Sequence, residues 1–352
     1  MNLEFGKSVR VGVVGVGKLG ELHSKLLAEL ALERKDMIFS GVFDENRERL
    51  KAVAKKHNTK AFENIEHLSE ECDALIIATP TSFHFQVSLS LLKKGKHLFI
   101  EKPITATPEE AEQLIRLETE HSAKIQVGHI ERFNPALVAA EPHLGEPVFI
   151  TAERLAGFTK RATDVSVVLD LMIHDIDLIL SIIQSPVTSV SATGASVFSD
   201  EWDIANARLE FQNGAVATVT SSRISRAKVR KMRLFCKNPN AYASLDLTSG
   251  KSEIFKIVPI AETKERKRSL KEFATEKILT MFGEVEDVLK GNTIEYFSLE
   301  APKINALKAE QESFIESILY QKPIRVGSTD GKKALEVAAD IVREISKRRL
   351  KT

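Results

Sequence analysis

Cysteine, net charge and long apolar segments are all scarce in this chain, and each scarcity excludes a class of protein. Only two cysteines occur among 352 residues, Cys72 and Cys236, without CxxC spacing or neighbouring histidine pairs. We therefore predict neither a disulfide framework nor a metal site, and we expect the protein to belong to a reducing compartment. The formal net charge of +1 gives no overall reason to expect nucleic acid or an acidic membrane surface as a partner.

The apolar residues are dispersed along the chain. No stretch approaches the roughly 20 apolar residues of a membrane span, and Met1–Lys7 lacks the apolar core of a signal peptide. We expect a cytoplasmic protein with neither nucleic acid nor a membrane as partner. The basic clusters at Arg226–Arg233, Lys264–Lys271 and Lys347–Lys351 are interpreted as solvated faces or tails. A chain of this length can form two domains.

The most informative motif stands near the start of the chain. An apolar run, Val9–Val14, leads into Gly15-Val16-Gly17-Lys18-Leu19-Gly20, and a helical pattern follows. In a dinucleotide-binding unit the first glycine allows a sharp turn and the second lets a pyrophosphate approach the backbone. The third lets the helix pack on the sheet. The start of that helix favours negative charge, so the motif predicts a dinucleotide cofactor.

An acidic residue, Asp44, closes the second apolar run of the chain. Its carboxylate can accept hydrogen bonds from both hydroxyls of an adenosine ribose and would repel a 2′-phosphate. NAD is therefore favoured over NADP. Arg47 and Arg49 lie close by in sequence and could accept a phosphate if they turned inward, which leaves the alternative open.

Short apolar runs alternate with amphipathic helical patterns as far as Gly128. This alternation predicts an α/β fold over residues 1–128, a Rossmann domain with a doubly wound parallel sheet. The predicted strands are Val9–Val14, Ile38–Phe43, Ala74–Ala78, His97–Ile100 and Lys124–Val127. The predicted helices are Lys18–Glu33, Asn46–His57, Phe83–Lys94 and Pro108–His121, with Gly95 ending the third.

Strand patterns dominate after Gly128 and predict an α+β domain over residues 129–352 with a mainly antiparallel open sheet. The predicted strands are Pro147–Arg154, Val187–Val197, Ala205–Phe211, Ala215–Ser222, Lys231–Cys236, Ala241–Leu247 and Glu253–Val258, with a hairpin at Asn213-Gly214. The predicted helices are Asn134–Leu144, Ser166–Gln184, Ile304–Tyr320 and Thr329–Arg348, the final ones able to pack on the first domain. Residues 261–303 are expected to form a surface excursion. The open sheet face predicts a homodimer or homotetramer.

Glu101-Lys102-Pro103 follows a predicted strand, at the sheet edge where α/β proteins place ligands. A lysine there can donate to a substrate oxygen, and a positive nicotinamide ring beside it would lower its pKa toward neutrality. Pro103 is a candidate for a cis peptide bond. The alternative is a surface lysine before a helix-starting proline.

Two polar residues, Asp170 and His174, interrupt the apolar helix of the second domain. They are four positions apart and so share one helix face. An imidazole oriented by a carboxylate can take a proton from an alcohol. The alternative is a satisfied buried His-Asp pair or a pair on the helix surface.

The segment from Thr79 to His84 ends a third strand at the same edge of the sheet. Its hydroxyl groups can contact a cofactor ribose or phosphate, while Ser82 can equally be a helix N-cap.

Together these motifs resemble the Gfo/Idh/MocA family of oxidoreductases. The resemblance covers nearly the whole chain and includes Gly128 and Arg132-Phe133-Asn134-Pro135. It implies hydride transfer from a sugar or polyol alcohol to the nicotinamide, with Lys102, Asp170 and His174 as catalytic residues. The implied cofactor contacts are Gly15, Gly17, Lys18, Leu19, Gly20, Asp44, Thr79, Pro80, His84, Glu101 and Lys102. The implied substrate contacts are Lys102, Arg132, Asn134, Arg154, Arg161, Asp170 and His174.

The sequence also departs from the family pattern. Ser166-Val167 and Met172 stand where glycines are frequent, so we expect a reshaped pocket. Within the family, Val127–Pro135 and Asp164–Asp177 look most like bacterial nucleotide-sugar 3-dehydrogenases. That resemblance implies oxidation of UDP-N-acetylglucosamine at C3 to a 3-keto sugar for lipid A. Lys160, Arg161 and Arg154 would then meet the diphosphate, and the alternative for them is a solvated loop. The alternatives are a free sugar or inositol as substrate, and a dinucleotide-binding regulator without turnover.

Overall fold

The structure is a computed structural model that describes residues 8–159, 165–259, 292–300 and 304–349. The chain divides into two compact units. The first consists of the described residues of Met1–Phe133 and Ile304–Ala339, and the second of those of Asn134–Lys303 and Asp340–Thr352. Within the part of the chain that the structure describes, every helix is too short or too polar to cross a membrane.

The first unit contains five parallel strands in the order β2-β1-β3-β4-β5. The strands are β1 (Val9–Val14), β2 (Met37–Phe43), β3 (Ala74–Ile77), β4 (His97–Glu101) and β5 (Ile125–Gly128). From β1 the chain first runs outward to β2 and then returns to β3 on the other side of β1. The carboxyl ends of β1 and β3 thus form the switch point at which doubly wound sheets bind ligands.

Seven α-helices of this unit are described. They are α1 (Lys18–Glu33), α2 (Arg47–Lys56), α3 (Ile65–Glu70), α4 (Thr81–Leu92), α5 (Pro108–Glu120), α8 (Ala306–Tyr320) and α9 (Ser328–Arg349), the last of which continues into the second unit. Leu27 and Leu30 of α1 are buried against β1 in one core cluster with Phe314 and Ile315 of α8. The predicted α/β sheet is confirmed, and the four predicted helices are present with ends shifted by a few residues.

Two local predictions in this unit were wrong. The short helix α3 was missed, because six residues are too few to display a helical period. Ser82 is not the N-cap of α4: the helix begins at Thr81, Pro80 occupies the cap position, and no side chain caps it.

The second unit is built on an eight-stranded sheet in the order β13-β12-β11-β10-β6-β9-β8-β7. The strands are β6 (Glu146–Leu155), β7 (Val187–Ala195), β8 (Ile204–Phe211), β9 (Val216–Ser222), β10 (Val229–Lys237), β11 (Ala241–Asp246), β12 (Lys251–Pro259) and β13 (Asn292–Glu300). All neighbours are antiparallel except β6 and β9, which confirms the mainly antiparallel sheet. The predicted hairpin joins β8 to β9, and Gly214 has a positive φ.

Three predictions for this unit need correction. The helix expected over Asn134–Leu144 stops as α6 (Pro135–Ala140) and continues as a 3₁₀ turn, because Pro142 has no N–H to donate. The helix expected over Ser166–Gln184 begins as a π-helical turn, Val168–Met172, before α7 (Ile173–Ile183). Part of the unassigned stretch 261–303 is strand β13, and its remaining residues lie outside the described ranges.

Candidate active site

The glycine turn after β1 is shaped by two close backbone approaches. Gly15 has φ +85°, and a Cβ there would lie 2.8 Å from the backbone nitrogen of Thr79. A Cβ on Gly20 would lie only 1.8 Å from the carbonyl oxygen of Gly15. Both positions therefore require glycine, because a side chain would separate α1 from the strand ends that it packs against.

Gly17 differs from Gly15 and Gly20, because its position faces open space. It occupies the N-cap position of α1, no side chain caps that helix, and a Cβ at Gly17 would meet no atom within 4 Å. A side chain at this position would therefore extend into open space beside the start of α1. A helix N-terminus of this kind suits a phosphate group.

Asp44, directly after β2, is buried and lies against the glycine turn. Its carboxylate accepts hydrogen bonds from the backbone N–H groups of Val16 and Asn46, each at 2.8 Å, and from Arg49 at 2.7 and 3.1 Å. Burial alone would raise the pKa of Asp44. The hydrogen bonds from Arg49, Asn46 and Val16 outweigh that effect and hold the pKa below its usual value.

The loop after β3 carries Thr79, and a buried histidine of α4 lies behind it. Among the described residues, the buried Oγ1 of Thr79 has no hydrogen-bond partner. His84 is only 1% exposed, and its ring nitrogens lie 2.9 Å from the carbonyl oxygens of Thr79 and Pro103. His84 was predicted to contact the cofactor. In the structure both of its ring nitrogens contact backbone carbonyl oxygens instead.

Lys102 stands at the end of β4, and the Lys102-Pro103 peptide bond is cis. The preceding Glu101 is buried, accepts the backbone N–H of Lys102 at 3.2 Å, and lies 2.6 Å from Nε2 of His23. Gln311 contacts the other ring nitrogen of His23 at 2.7 Å. Glu101 is therefore held by a buried imidazole from α1, and its side chain is part of the support for the lysine turn.

Asp170 and His174 lie on the same segment of the second unit, as predicted, but on an unexpected helix type. Asp170 belongs to the π-helical turn, whereas His174 lies in the first turn of α7. Both residues are half-buried. Four positions are slightly less than one π turn, so the two residues still lie on about the same side. Single π turns inside helices are frequent at functional sites.

The residues of this segment that differ from the family pattern are buried. Val167 and Met172 are completely buried, and Ser166 is 5% exposed. The side chains that were expected to reshape the pocket are therefore buried, and their effect on a substrate stays a prediction.

Arg154 of β6 forms a buried, two-pronged ion pair with Asp175, the residue after His174. Its Nε and Nη2 donate to the two carboxylate oxygens at 2.7 and 2.8 Å, and both side chains are at most 3% exposed. Arg154 was predicted to meet a diphosphate. The structure gives its guanidinium a different contact, which fixes the start of α7 to the sheet.

The backbone before the π turn is held by a second buried pair, Asp203 and Arg223. Arg223 donates to the carbonyl oxygens of Val165 and Trp202, and the N–H of Val167 donates to Trp202 at 2.9 Å. None of these supports was identified from the sequence, because each joins residues that are distant along the chain.

Asp203 provides a test of this support through pH. Its buried carboxylate accepts the N–H groups of Val197, Phe198 and Ser199 at 2.6–3.0 Å. Burial would raise its pKa, but these hydrogen bonds lower it to about 2. The stability from Asp203 is thus complete above its unfolded pKa of about 4 and is lost as the pH falls toward 2.

We expect D203N to lower the free energy of unfolding at neutral pH by about 1–3 kcal/mol. The loss of stability between about pH 4 and pH 2 should be shallower than in the wild type. Trp202, the single tryptophan, reports unfolding of this unit by fluorescence. Parallel acid curves for the two proteins would contradict the assignment.

Two further predicted substrate residues, Arg132 and Asn134, have structural contacts. Arg132 lies 3.9 Å from Asp330 in the first unit. In the second, Asn134 caps α6 through the N–H of Ala136 and donates to the carbonyl oxygen of Leu247 at 2.9 Å. Lys160 and Arg161 lie outside the described residues. No group of three or more metal-ligating side chains occurs in the described ranges.

The first unit has the geometry of a Rossmann-type, dinucleotide-binding oxidoreductase domain. The Gfo/Idh/MocA model for an oxidoreductase family with an NAD-binding Rossmann fold matches residues 9–129. The model for the C-terminal domain of the same family matches residues 139–239. The chain belongs to the Gfo/Idh/MocA family of oxidoreductases.

Relatives of both units are known. The chain is 33% identical over 334 residues to UDP-N-acetylglucosamine 3-dehydrogenase of Acidithiobacillus ferrooxidans, covering 95% of this chain and 96% of the relative. A crystal structure of that enzyme has a TM-score of 0.81 at 32% identity and covers 96% of this chain and 98% of its own. A scyllo-inositol 2-dehydrogenase of Bacillus subtilis is 30% identical over 239 residues, which are 62% of this chain and 68% of the relative.

The residues at the β1 and β3 ends fit a nicotinamide dinucleotide. The open space at Gly17 would receive the pyrophosphate beside the start of α1, and Asp44 would face the adenosine ribose. The unpartnered Oγ1 of Thr79 supports a polar ligand at this edge, because buried hydroxyl groups normally have a partner. Lys102 follows the neighbouring strand β4.

Proposed function

We propose that this protein oxidises a secondary hydroxyl group of a sugar nucleotide with NAD, and that the substrate is UDP-N-acetylglucosamine, oxidised at C3. The observation that carries this proposal is the similarity to UDP-N-acetylglucosamine 3-dehydrogenase, which extends over 95% of the chain and so includes both units. We also infer that the 3-keto product is the precursor of an amino sugar for lipid A.

Bound NAD would supply the acceptor for the hydride that leaves the carbinol carbon. The chain itself must then remove the hydroxyl proton, and we assign this task to His174, with Asp170 orienting its imidazole. Lys102 donates a hydrogen bond to the same oxygen and stabilises the negative charge that develops there. The reaction is balanced when one hydride and one proton have left the alcohol.

The test is to incubate the protein with NAD and a panel of UDP-sugars, free hexoses and inositols, and to follow the absorbance of the reduced cofactor. We expect turnover with UDP-N-acetylglucosamine and a 3-keto product by mass spectrometry. Turnover of other substrates alone would overturn the proposed substrate, and the absence of any reduction would overturn the proposed enzyme.

A free polyol is the second candidate, and one structural observation favours it. Arg154, a predicted diphosphate contact, is committed to Asp175 in the described structure. A diphosphate would then depend on Lys160 and Arg161. The similarity to scyllo-inositol 2-dehydrogenase points in the same direction, although it covers only 62% of the chain.

NAD rather than NADP is the proposed cofactor because of Asp44. Its oxygens now receive hydrogen bonds from Arg49, whose side chain is 49% exposed and is free to turn toward solvent when a ribose binds. A 2′-phosphate would instead place a second negative charge against a buried carboxylate.

Replacing Asp44 with serine should therefore lower the preference for NAD over NADP, as a ratio of kcat/KM values, by about 10- to 100-fold. The released Arg49 would contact the added phosphate, so D44S/R49A should lose the gain in NADP use. An unchanged cofactor ratio in D44S would contradict the role of Asp44.

We propose a second copy of this chain as the partner of the sheet in the second unit. One face of this sheet carries one aromatic residue on each of five adjacent strands, with ring centroids 4.9–6.1 Å apart; Phe255 among them is buried, whereas Phe235 is exposed. These residues are Phe149, Phe235, Tyr242, Phe255 and Tyr296. An apolar row of this length marks a contact surface.

We expect F235E to shift the protein from a dimer or tetramer to a monomer in light scattering at micromolar concentration, because Phe235 is the most exposed residue of the row, at 42%. L32E is the matched control, since Leu32 of the first unit is 90% exposed. A monomeric wild type would refute self-association.

A further inference from the structure

His84 is a buried residue that contacts both the loop after β3 and the loop after β4. It projects from α4, and its ring lies between the loop after β3 and the lysine turn after β4. Nε2 lies 2.9 Å from the carbonyl oxygen of Thr79, and Nδ1 lies 2.9 Å from that of Pro103. With 1% exposure, the ring contacts these loops from the protein side rather than from solvent.

The chemistry of the ring limits what these contacts can be. A neutral imidazole has one N–H, whereas both of its neighbours here are acceptors. Burial lowers the pKa of His84, against the opposite effects of the two carbonyl contacts and of the nearby Glu101 charge. The neutral ring donates to one carbonyl at a time, and its tautomer decides which loop receives the hydrogen bond.

Each carbonyl belongs to a loop with a separate task. The Thr79 loop carries the buried hydroxyl that lacks a partner among the described residues, on the cofactor side. Pro103 is joined to Lys102, the residue to which we assign contact with the substrate oxygen. A shift of about 1 Å in such a group is enough to cost a large part of the rate.

We propose that His84 is a positioning residue. Its Nδ1 contact with the carbonyl oxygen of Pro103 aligns Lys102, and its Nε2 contact with the carbonyl oxygen of Thr79 positions the loop after β3. This inference rests on the proposed function in its assignment of Lys102. It adds a single side chain through which cofactor binding and lysine alignment are linked.

Two substitutions separate the two contacts. The amide nitrogen of asparagine can replace Nδ1, and that of glutamine can replace Nε2. We expect H84N to retain kcat within about threefold and to raise the Kd for NADH about tenfold. H84Q should retain the Kd within about threefold and lower kcat about tenfold, the effect of one net hydrogen bond.

The Kd for NADH is measured by fluorescence titration without sugar, and kcat is measured by turnover. The melting temperature of each variant is measured as well. H97N and H97Q are matched controls: His97 lies at the opposite end of β4 and accepts the N–H of Lys124 at 3.0 Å. We expect the control variants to retain both constants.

Equal changes of kcat and Kd in H84N and H84Q would overturn the inference, because a merely structural histidine would not separate the two constants. Failure of the proposed function is distinguishable from this result. If the wild type oxidises no sugar alcohol, the proposed function fails. The Kd values of H84N and H84Q for NADH still test the contact with Thr79, since only H84N should bind NADH more weakly. In that case ¹⁵N spectra of the apo ring, which report which nitrogen is protonated, decide the Pro103 contact.

Discussion

Replacement of Lys102 by alanine should lower kcat by about 100-fold or more while the Kd for NADH stays within about twofold. Loss of a positioned proton-transfer or charge-stabilising group typically has an effect of this size. The dinucleotide contacts that we propose lie in the first unit, at the β1 turn, Asp44 and the Thr79 loop, whose glycine positions and Val16–Asp44 hydrogen bond involve residues other than Lys102. The measurement is steady-state turnover with NAD, paired with NADH fluorescence titration.

H174N should produce the same pattern from the second unit, and it should also remove the acidic limb of the pH-rate profile. Two controls are available. Lys96 donates to the carbonyl oxygen of Cys72 at 2.8 Å, and the ring of His143 packs 4.6 Å from that of Phe297. K96A and H143N should therefore leave turnover unchanged. Wild-type turnover in K102A or H174N would end the catalytic assignment of that residue.

The sequence predicted the first sheet well because its signals are local. The β1 turn needs glycine at positions 15 and 20 for reasons that lie within one strand, one turn and one helix. Asp44 follows a strand directly, so its place at the sheet edge is fixed by the strand end. These features depend on short-range sterics, which a motif records.

Other parts of the site were beyond reach of the sequence because they depend on distant pairs. Arg154 and Asp175 are 21 positions apart, and no periodicity shows that one neutralises the other. The two carbonyl partners of His84 come from separate loops. The π turn at Asp170 has the same apolar pattern as an α-helix, so only the backbone distinguishes them. A signal did exist for His23: a histidine on the apolar helix of the glycine motif needs a buried partner, and that partner is Glu101.

The second large effect is expected from the Arg154–Asp175 pair. R154M would leave the Asp175 carboxylate buried without its arginine, and removal of one partner of a buried ion pair typically costs 3–5 kcal/mol. The double variant R154M/D175L removes both charges and replaces them with apolar side chains of similar volume, so it should recover most of that stability. Urea unfolding followed by the fluorescence of Trp202 measures the second unit directly.

The same pair of variants distinguishes between the two possible tasks of Arg154. If the guanidinium serves α7, the double variant keeps its KM for the nucleotide sugar within about threefold, because a structural ion pair has no share in binding that substrate. If it binds a diphosphate, KM for the nucleotide sugar rises about tenfold or more in R154M/D175L, the effect of one charged hydrogen bond. We expect the first result, because both prongs of Arg154 are already 2.7 and 2.8 Å from Asp175 and neither side chain reaches solvent.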